Sequence, residues 1–437
     1  MLGTIRLVGG LALLTILVMR GMNLLIVDPI SALFVALLNG IPVFSQFAGK
    51  GETDFITGYM DGFSGFITSW YLMFLTGAIL GKVMEDSGAA ESVSHWIISK
   101  IGMKRAVLAI VLACGVLTYG GVSLFFVAFA VYPMAVSLFK ESNYPRRFIS
   151  ATLALGSTTF TMTSADSPEI QNWIPILYLH TSPYAGWGFS LITTLFMLIV
   201  GYLWLMYKIK KTKRKGEVFV ERENDQFEKR DRLPNPFISM IPLLVVLVVS
   251  FILHSKLEQS ALIISLSSGI IATWLLNHSY FKDFWKAVGK GTEGALIALG
   301  NTSAVVGFGS VAKITPAFDD AIKLVTHLDG SPLITGAIAV MVIAGLTGSS
   351  SGGQTIALPI LAPYYIDMRV DTDALHRTVA LSSGSLDSLP HGGYAVPTIR
   401  SISGETHKDA YPAFGAMTVL IPIAAVVIAI ILFSMGL

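Results

Sequence analysis

The chain has 437 residues, of which 53% are hydrophobic and only 13% charged, with a formal net charge of +2 at neutral pH. Its mean hydropathy of +0.67 and its long apolar runs exclude a soluble protein, because a soluble core would alternate such runs with far more charge. The single cysteine, Cys114, excludes an intramolecular disulfide, and we expect neither a metal site nor a cofactor.

The first apolar segment ends at Arg20, where a signal peptide would carry its small-residue cleavage site, so we predict a retained first helix. Further apolar runs predict helices of membrane-spanning composition. The predicted helices of the first half lie at 5–19, 23–43, 64–84, 148–180 and 184–207, and those of the second half at 235–254, 260–277, 293–311, 377–403 and 411–436. The fold class predicted is an all-α polytopic membrane protein.

A highly charged segment at 208–234 separates the two halves and begins with six Lys or Arg in eight residues, which indicates a cytoplasmic linker. Similar motifs recur on either side of it. The glycines Gly81 and Gly309, like Gly156 and Gly384, are offset by the same 228 residues (309 minus 81 and 384 minus 156). The sequence therefore predicts a tandem repeat, with a first unit at 1–207 and a second at 235–437.

Each half also contains one apolar stretch that small and polar residues interrupt at its centre, at 106–139 and at 333–366. The arms of these stretches have about 13 to 18 residues, fewer than the roughly 20 that a helix needs to cross a bilayer. We therefore predict a re-entrant helical hairpin in each half, with tips at 118–121 and 347–353.

Charges beside the hairpins predict the side of the membrane on which each one opens. Basic residues flank the first hairpin and place both of its ends in the cytoplasm: Lys104, Arg105, Lys140, Arg146 and Arg147. Acidic residues flank the second and place both of its ends outside: Asp319, Asp320, Asp329, Asp367, Asp371 and Asp373. With five crossings in each half, the two units would insert with opposite topology, as the inverted repeats of secondary transporters do.

Two predicted helices are broken by polar and small residues, the helix at 148–180 by residues 156–168 and the helix at 377–403 by residues 382–393. Irregular backbone at membrane depth occurs where it is buried in protein or lines a wet cavity, and free helix ends and hydroxyls there can hold an ion or a carboxylate. We predict one substrate site built from the two tips and the two breaks. Its predicted residues are Thr118, Gly120, Gly121, Ser123, Ser157, Thr158, Thr159, Thr161, Ser350, Ser351, Gly352, Gly353, Ser382, Ser383 and Ser385.

Three ionisable residues at the breaks are candidates for proton coupling. Asp387 and His391 are four residues apart, a spacing that brings side chains together on a helix, and Asp166 lies in the other break. An aspartate at the centre of a membrane helix costs ~2.5 to 3.5 kcal/mol on insertion scales, which favours a functional role. The structural alternatives are that Asp387 caps a helix, that the hydroxyls only let helices pack closely, and that Asn301 hydrogen-bonds between helices.

Three segments resemble the gluconate permease family of bacterial secondary transporters: "GAILGKVMEDSGAAESVSHWIISKIG", "TFTMTSADSPEIQNWIP" and "LHRTVALSSGSLDSLPHGGYAV". The last two are most similar to the branch of 3-hydroxybutyrate permeases. The resemblance implies proton-coupled symport of a small hydroxy-monocarboxylate, 3-hydroxybutyrate-like or gluconate-like, into the cell. It also implies an elevator-type movement of a transport domain with both hairpins against a scaffold, in a homodimer of the bacterial inner membrane.

Other functions are consistent with parts of the sequence. Hydroxyl groups at the breaks also suit Na⁺, so a sodium-coupled carboxylate symporter is the main alternative to proton coupling. The segment "GSSSG" around Ser350 matches the G-x-S-x-G pattern, which with His391 would suggest an intramembrane serine hydrolase, although that motif needs a preceding strand. A channel is a third possibility. The partners we expect are a small carboxylate and the lipid bilayer, with no nucleic acid.

Overall fold

A computed structural model of the protein describes residues 6, 9–10, 12–14, 16–17, 20, 22–102, 105–222, 232–257, 259–316 and 331–435. Within these residues all regular secondary structure is helical, and six helices are long and apolar enough to cross a membrane. The predicted all-α, multi-pass architecture is thereby confirmed. The predicted first helix at 5–19 is described only in part, and Lys104, Asp319, Asp320 and Asp329 lie outside the described residues.

The described residues of each half form a series of α-helices of unequal length. The first half contains α1 (Leu24–Leu38), α2 (Phe55–Asp86), α3 (Ala89–Ile101), α4 (Ala106–Tyr119), α5 (Leu124–Ser142), α6 (Ile149–Ala154), α7 (Ile174–Leu179) and α8 (Trp187–Arg214). The second half contains α9 (Pro236–Leu257), α10 (Gln259–Asn277), α11 (Phe284–Lys313), α12 (Pro332–Thr347), α13 (Ser350–Asp367), α14 (Thr372–Leu386), α15 (His407–Gly415) and α16 (Ile421–Ser434). Wider π-helical turns occupy Leu155–Thr159, Pro397–Ile402 and Ala416–Leu420.

Two long helices begin earlier than their apolar runs predict, α2 at Phe55 instead of 64 and α11 at Phe284 instead of 293. Each starts at an aspartate whose carboxylate accepts a hydrogen bond from a first-turn N–H, Asp54 from Thr57 at 3.1 Å and Asp283 from Lys286 at 3.0 Å. Such N-caps stabilise a helix by ~1 kcal/mol. Hydropathy underestimates both helices because charged residues and glycines, with Asp61 in α2 and Lys286 and Lys290 in α11, lower the mean hydropathy of their first residues.

The helix α3 was not predicted, because its thirteen residues are amphipathic and not uniformly apolar. It buries Ala89, Ala90, Val93 and Ile97 against the core, while its remaining face is more polar. It packs on α4, α5 and α9, and so it joins elements from both halves of the chain.

The helices pack in two groups. In the first, α11 packs along α2 and α1, while α10 packs on α2 and on α9. In the second, α12 packs on α13 and α14, α16 packs on α14 and α8, and α13 packs on α7. The tips of α4–α5 and α12–α13 and the two broken segments belong to the second group and face the first.

Both interrupted apolar stretches form pairs of helices that pack on each other, α4 with α5 and α12 with α13. A glycine in the left-handed region makes each turn possible, Gly121 at φ 89° and Gly348 at φ 64°. We call these pairs hairpin 1 and hairpin 2. Their re-entrant insertion and opposite topology stay predictions.

The predicted linker at 208–234 is helical at its start, since α8 continues to Arg214 and ends at Lys215. Lysine and arginine are good helix formers, and cations near a helix C-terminus interact favourably with its dipole. A repeat boundary at 207 therefore falls inside α8 and not at the end of it.

Residues 217–222 follow α8 and lie across the ends of both halves, and we call them the strap. Three ion pairs hold it: Glu217 to Arg147 at 2.9 Å, Glu221 to Lys140 at 2.6 Å and Arg222 to Glu405 at 2.8 Å. Arg222 also donates to the Ser403 carbonyl oxygen at 3.2 Å. The strap thus binds the end of hairpin 1 to the loop at 403–405, which precedes α15.

A candidate binding cavity between the two helix groups

A cavity of about 480 Å³ lies between the two helix groups. One wall consists of α2, α10 and α11, through residues such as Met73, Phe74, Leu266 and Asn301. The opposite wall consists of both hairpin tips and both broken segments, which in the structure extend over 155–173 (the first break) and 387–402 (the second break). Its lining residues are Gly121, Ser123, Leu124, Thr158, Met162, Pro168, Glu169, Ile170, Gln171, Thr347, Gly348, Ser349, Ser350, Ser351, Asp387, Ser388, His391, Gly393, Tyr394 and Pro397. The tips and breaks therefore meet at one place.

The tip of hairpin 2 is fixed on the second break. The Gly393 N–H donates to the Gly348 carbonyl oxygen at 2.9 Å, and His391 Nε2 lies 3.0 Å from the Gly345 carbonyl oxygen. Asp387 accepts a hydrogen bond from the Ser388 hydroxyl at 3.0 Å and also faces Ser350, the first residue of α13. The second break thus holds an aspartate at the start of a hairpin arm.

The tip of hairpin 1 has a similar neighbour in the first break. Glu169 lines the cavity, and its carboxylate faces the backbone N–H of Leu124, the first residue of α5. This glutamate was missed by sequence reasoning, although it lies in the quoted motif "SADSPEIQN". Glu169 directly follows Pro168, the last residue of the predicted break, and this position was the one local signal for it.

Side-chain hydrogen bonds join the first break to hairpin 2 and to the second break. Gln171 Nε2 donates to the Ser350 hydroxyl at 2.9 Å, and Gln354 Nε2 donates to Ser383 Oγ at 2.6 Å and to the Gln171 carbonyl at 3.0 Å. The hydroxyls of Ser157 and Tyr394 lie 2.7 Å apart. All of these groups are buried, so the network fixes the relative position of the two breaks.

Five of the fifteen predicted substrate-binding residues line the cavity: Gly121, Ser123, Thr158, Ser350 and Ser351. The structure places the other ten outside the lining: Thr118, Gly120, Ser157, Thr159, Thr161, Gly352, Gly353, Ser382, Ser383 and Ser385. The second break begins only at Asp387, because α14 continues to Leu386 with a local distortion at Gly384. Three of the predicted serines are therefore helical.

Most of these hydroxyls donate to backbone carbonyl oxygens of the preceding turn. Ser382 donates to the Thr378 oxygen at 2.6 Å, Ser383 to that of Ala380 at 2.8 Å and Ser157 to that of Leu153 at 2.8 Å. Thr161 donates to the Gly156 oxygen at 3.2 Å and Ser385 to that of Ser382 at 2.5 Å. Thr159 donates to a distant carbonyl oxygen, that of Met417, at 3.1 Å. A hydroxyl has one hydrogen, so a group that gives it to a carbonyl cannot also donate it to a carboxylate. The hydroxyl hydrogens of these side chains are therefore used in hydrogen bonds to the backbone.

The glycines outside the lining allow close packing. A side chain at Gly353 would lie 2.6 Å from the Ala344 Cα of the other arm, and one at Gly120 would lie 2.5 Å from Leu243 on α9. Gly352 donates its N–H to the Ser349 hydroxyl at 3.1 Å. Thr118 is fully buried, and its hydroxyl has no partner among the described residues.

Of the three candidates for proton coupling, the structure brings Asp387 and His391 to the cavity and places Asp166 outside its lining. Asp166 has a left-handed backbone at φ 63° and donates its N–H to the Pro183 carbonyl oxygen at 2.9 Å. Its carboxylate faces Tyr184, whose ring lies 4.8 Å from the ring of His254. Asp166 thus belongs to a separate polar cluster.

The described lining contains no lysine or arginine. The fully buried Arg377 of α14 is directed elsewhere and donates to the carbonyl oxygens of Thr163 at 2.6 Å, Ala185 at 3.0 Å and Pro183 at 3.3 Å. Positive potential at the cavity therefore comes from the N-termini of α5 and α13, where backbone N–H groups begin each helix. Asn301 also lines the cavity, and its hydrogen bond between helices stays a prediction.

Ser350 does not lie in the structural context that the G-x-S-x-G motif requires. The helix α12 precedes it and α13 begins at it, whereas the nucleophile of that motif follows a strand. Its hydroxyl accepts the hydrogen bond from Gln171.

Known proteins similar to this chain are transporters. A family model described as citrate transporter matches residues 11–290. The uncharacterized transporter YxjC of Bacillus subtilis strain 168 is 34% identical, with 97% of each chain covered. The high-affinity gluconate transporter of Escherichia coli K12 is 25% identical over 29% of this chain and 28% of its own. The crystal structure of the Alcanivorax borkumensis YdaH transporter matches with a TM-score of 0.60 at 13% identity, over 100% of this chain and 99% of that one, so the two share a fold.

Proposed function

Because the chain belongs to the citrate transporter family and is a multi-pass secondary transporter, we propose that it carries a small hydroxycarboxylate into the cell together with a proton. The proposed substrate is a monocarboxylate similar to 3-hydroxybutyrate or gluconate. The descriptions of the family and of one relative support this class, since citrate and gluconate are both hydroxycarboxylates. We also propose the bacterial inner membrane as its location and a homodimer as its working form.

The observation that carries this proposal is the meeting of two helix N-termini, those of α5 and α13, at one cavity. Each N-terminus is equivalent to roughly +0.5 elementary charge, so the two together match one carboxylate. Free citrate, with three carboxylates, would lack a cationic side chain in the described lining. The hydroxyl group of the substrate would bind at the amide of Asn301 and at Ser349 or Ser351.

The proposed coupling residues are Asp387 and His391, which lie in the same lining. Moving one negative charge inward against an interior-negative potential costs ~2.3 kcal/mol per 100 mV, so a monoanion needs an accompanying cation. One proton makes the step electroneutral. Sodium would do the same, and it remains the alternative because hydroxyl and carbonyl oxygens surround the site.

We propose that the second helix group moves against the first during transport, as an elevator-type transport domain against a scaffold. The position of the cavity supports this, because α2, α10 and α11 form one wall while the tips and breaks form the other. The inverted-repeat organisation would let the same movement open the site to either side.

Uptake into proteoliposomes tests the function. We expect one or more of 3-hydroxybutyrate, lactate, gluconate and citrate to accumulate under an imposed pH gradient, with monocarboxylates preferred, and not under a Na⁺ gradient alone. Accumulation under Na⁺ alone would establish the alternative. Absence of uptake for every hydroxycarboxylate under both gradients would contradict the proposed substrate class.

Two substitutions test the coupling residues. We expect Asp387→Asn and His391→Gln to lose pH-driven accumulation, while at least one of them still exchanges substrate across the membrane. The exposed Asp367 supplies the matched control, since Asp367→Asn removes a carboxylate that faces solvent at the end of α13. Full pH-driven accumulation in both variants at normal expression would exclude the pair and direct attention to Asp166.

A further inference from the structure

The cavity contains two carboxylates, and each lies at the start of the second arm of one hairpin. Glu169 of the first break faces the Leu124 N–H at the start of α5, and Asp387 of the second break faces Ser350 at the start of α13. Both line the same cavity. Glu169 therefore faces a backbone N–H, and Asp387 a hydroxyl, that a substrate carboxylate would use.

The other titratable groups near these two acids do not neutralise them. Within the described lining they are His391 and Tyr394, and Tyr394 bonds to Ser157. On the neighbouring elements, Tyr411 of α15 donates to the Ser388 carbonyl oxygen at 3.1 Å, while His376 and Arg377 of α14 bond to the segment 163–185. His407 of α15 pairs with Arg400 at 3.2 Å. No lysine or arginine of the described lining compensates the two carboxylates.

An anionic substrate and an ionised Glu169 or Asp387 compete for the same helix N-termini. A proton on either side chain removes its charge and weakens its hydrogen bond to its donor, the Leu124 N–H for Glu169 and the Ser350 hydroxyl for Asp387. That donor then becomes available to the substrate carboxylate. Substrate binding is in this way linked to protonation at both positions, since either ionised acid would repel the substrate and occupy one of the two helix ends.

We propose that Glu169 is a second proton-carrying residue, so that two protons enter with each monocarboxylate anion. This inference rests on the proposed function, and it adds one proton to the single coupling step assigned to the Asp387 region. The charge balance is two positive charges and one negative charge moved inward. Uptake therefore transfers one net positive charge per cycle and responds to membrane potential as well as to the pH gradient.

Equilibrium accumulation in proteoliposomes measures this stoichiometry without depending on transport rate. With equal pH on both sides, a K⁺ diffusion potential set by valinomycin is applied, and the ratio of internal to external substrate is measured. For one net charge, an interior-negative potential of about 59 mV should hold about tenfold accumulation. Glu169→Gln should lose this dependence on potential and keep accumulation under a pH gradient.

The control is Glu141→Gln, because Glu141 is exposed at the end of α5 and does not line the cavity. Wild-type protein that accumulates substrate under a pH gradient but not under potential would overturn the second proton, while leaving the proposed function intact. Potential-driven accumulation that persists in Glu169→Gln would overturn the role of Glu169. No accumulation in any condition would instead contradict the proposed function.

Discussion

Gly348 offers a direct test of whether the tip of hairpin 2 shapes the binding site. It has φ 64°, and a Cβ at this position would lie 3.1 Å from His391 Cδ2 and 3.2 Å from the Gly392 Cα. Both distances are shorter than ordinary van der Waals contact. Gly348→Ala would therefore have to move the tip or the second break, or both.

Two glycines provide matched controls, because they share the backbone conformation but not the crowding. Gly40 has φ 73° and Gly216 has φ 89°, and neither would have an atom within 4 Å of an added Cβ. The left-handed conformation costs a residue other than glycine ~1 to 2 kcal/mol in all three variants. Only in Gly348→Ala does overpacking add ~1 to 3 kcal/mol, at the contacts that position His391.

We expect thermal unfolding in detergent to show a moderate loss of stability in all three variants. Substrate counterflow should show about a tenfold rise in KM only for Gly348→Ala, since ~1.4 kcal/mol of lost binding free energy corresponds to a factor of ten. If Gly348→Ala loses stability but keeps the KM of the two controls, the tip does not contribute to the site.

Four further experiments test other parts of the structure. Asn301→Ala should raise KM several-fold, since a hydrogen bond between neutral groups contributes ~0.5 to 1.5 kcal/mol, and an unchanged KM would remove this amide from the site. Arg377→Lys should lower the unfolding temperature, because an ammonium group cannot serve three carbonyl oxygens as the guanidinium fork does, and an equal temperature would contradict that role. Glu405→Gln should speed proteolysis of the strap by trypsin, because two arginines lose their ionic partner, and an unchanged rate would show that the strap is held otherwise. Cysteines that replace the exposed Glu141 and Asp367 in a cysteine-free background should be labelled from the cytoplasm and from outside respectively, and labelling of both from one side would contradict inverted repeats.

The sequence predicted the apolar helices and the interruptions of both hairpins because these depend on local physical properties. Composition over about 20 residues determines whether a helix suits a bilayer, and a glycine such as Gly121 or Gly348 permits a left-handed turn. Helix starts were less accurate, because α2 and α11 begin at the capping residues Asp54 and Asp283, while charges such as Asp61 and Lys290 lower the hydropathy of their first residues.

The orientation of hydroxyl groups could not be predicted from the sequence. The sequence does not distinguish a serine in a break from a serine in a helix. Only the structure shows that the Ser383 hydroxyl donates to the Ala380 carbonyl oxygen. Glu169 was missed for the opposite reason. Its significance depends on its proximity to Leu124, 45 residues earlier in the chain (169 minus 124), which no local pattern indicates.

The strap connects two parts of the protein that are far apart in the chain, the end of hairpin 1 and the loop before α15. It forms ion pairs with the end of hairpin 1 through Arg147 and with the loop before α15 through Glu405, and Arg146 lies a further 3.5 Å from the same carboxylate. Hairpin 1 and the loop before α15 come from different halves of the chain, yet at this end the same six residues form ion pairs with both. In the movement proposed above, the two would therefore shift together against α2 and α11.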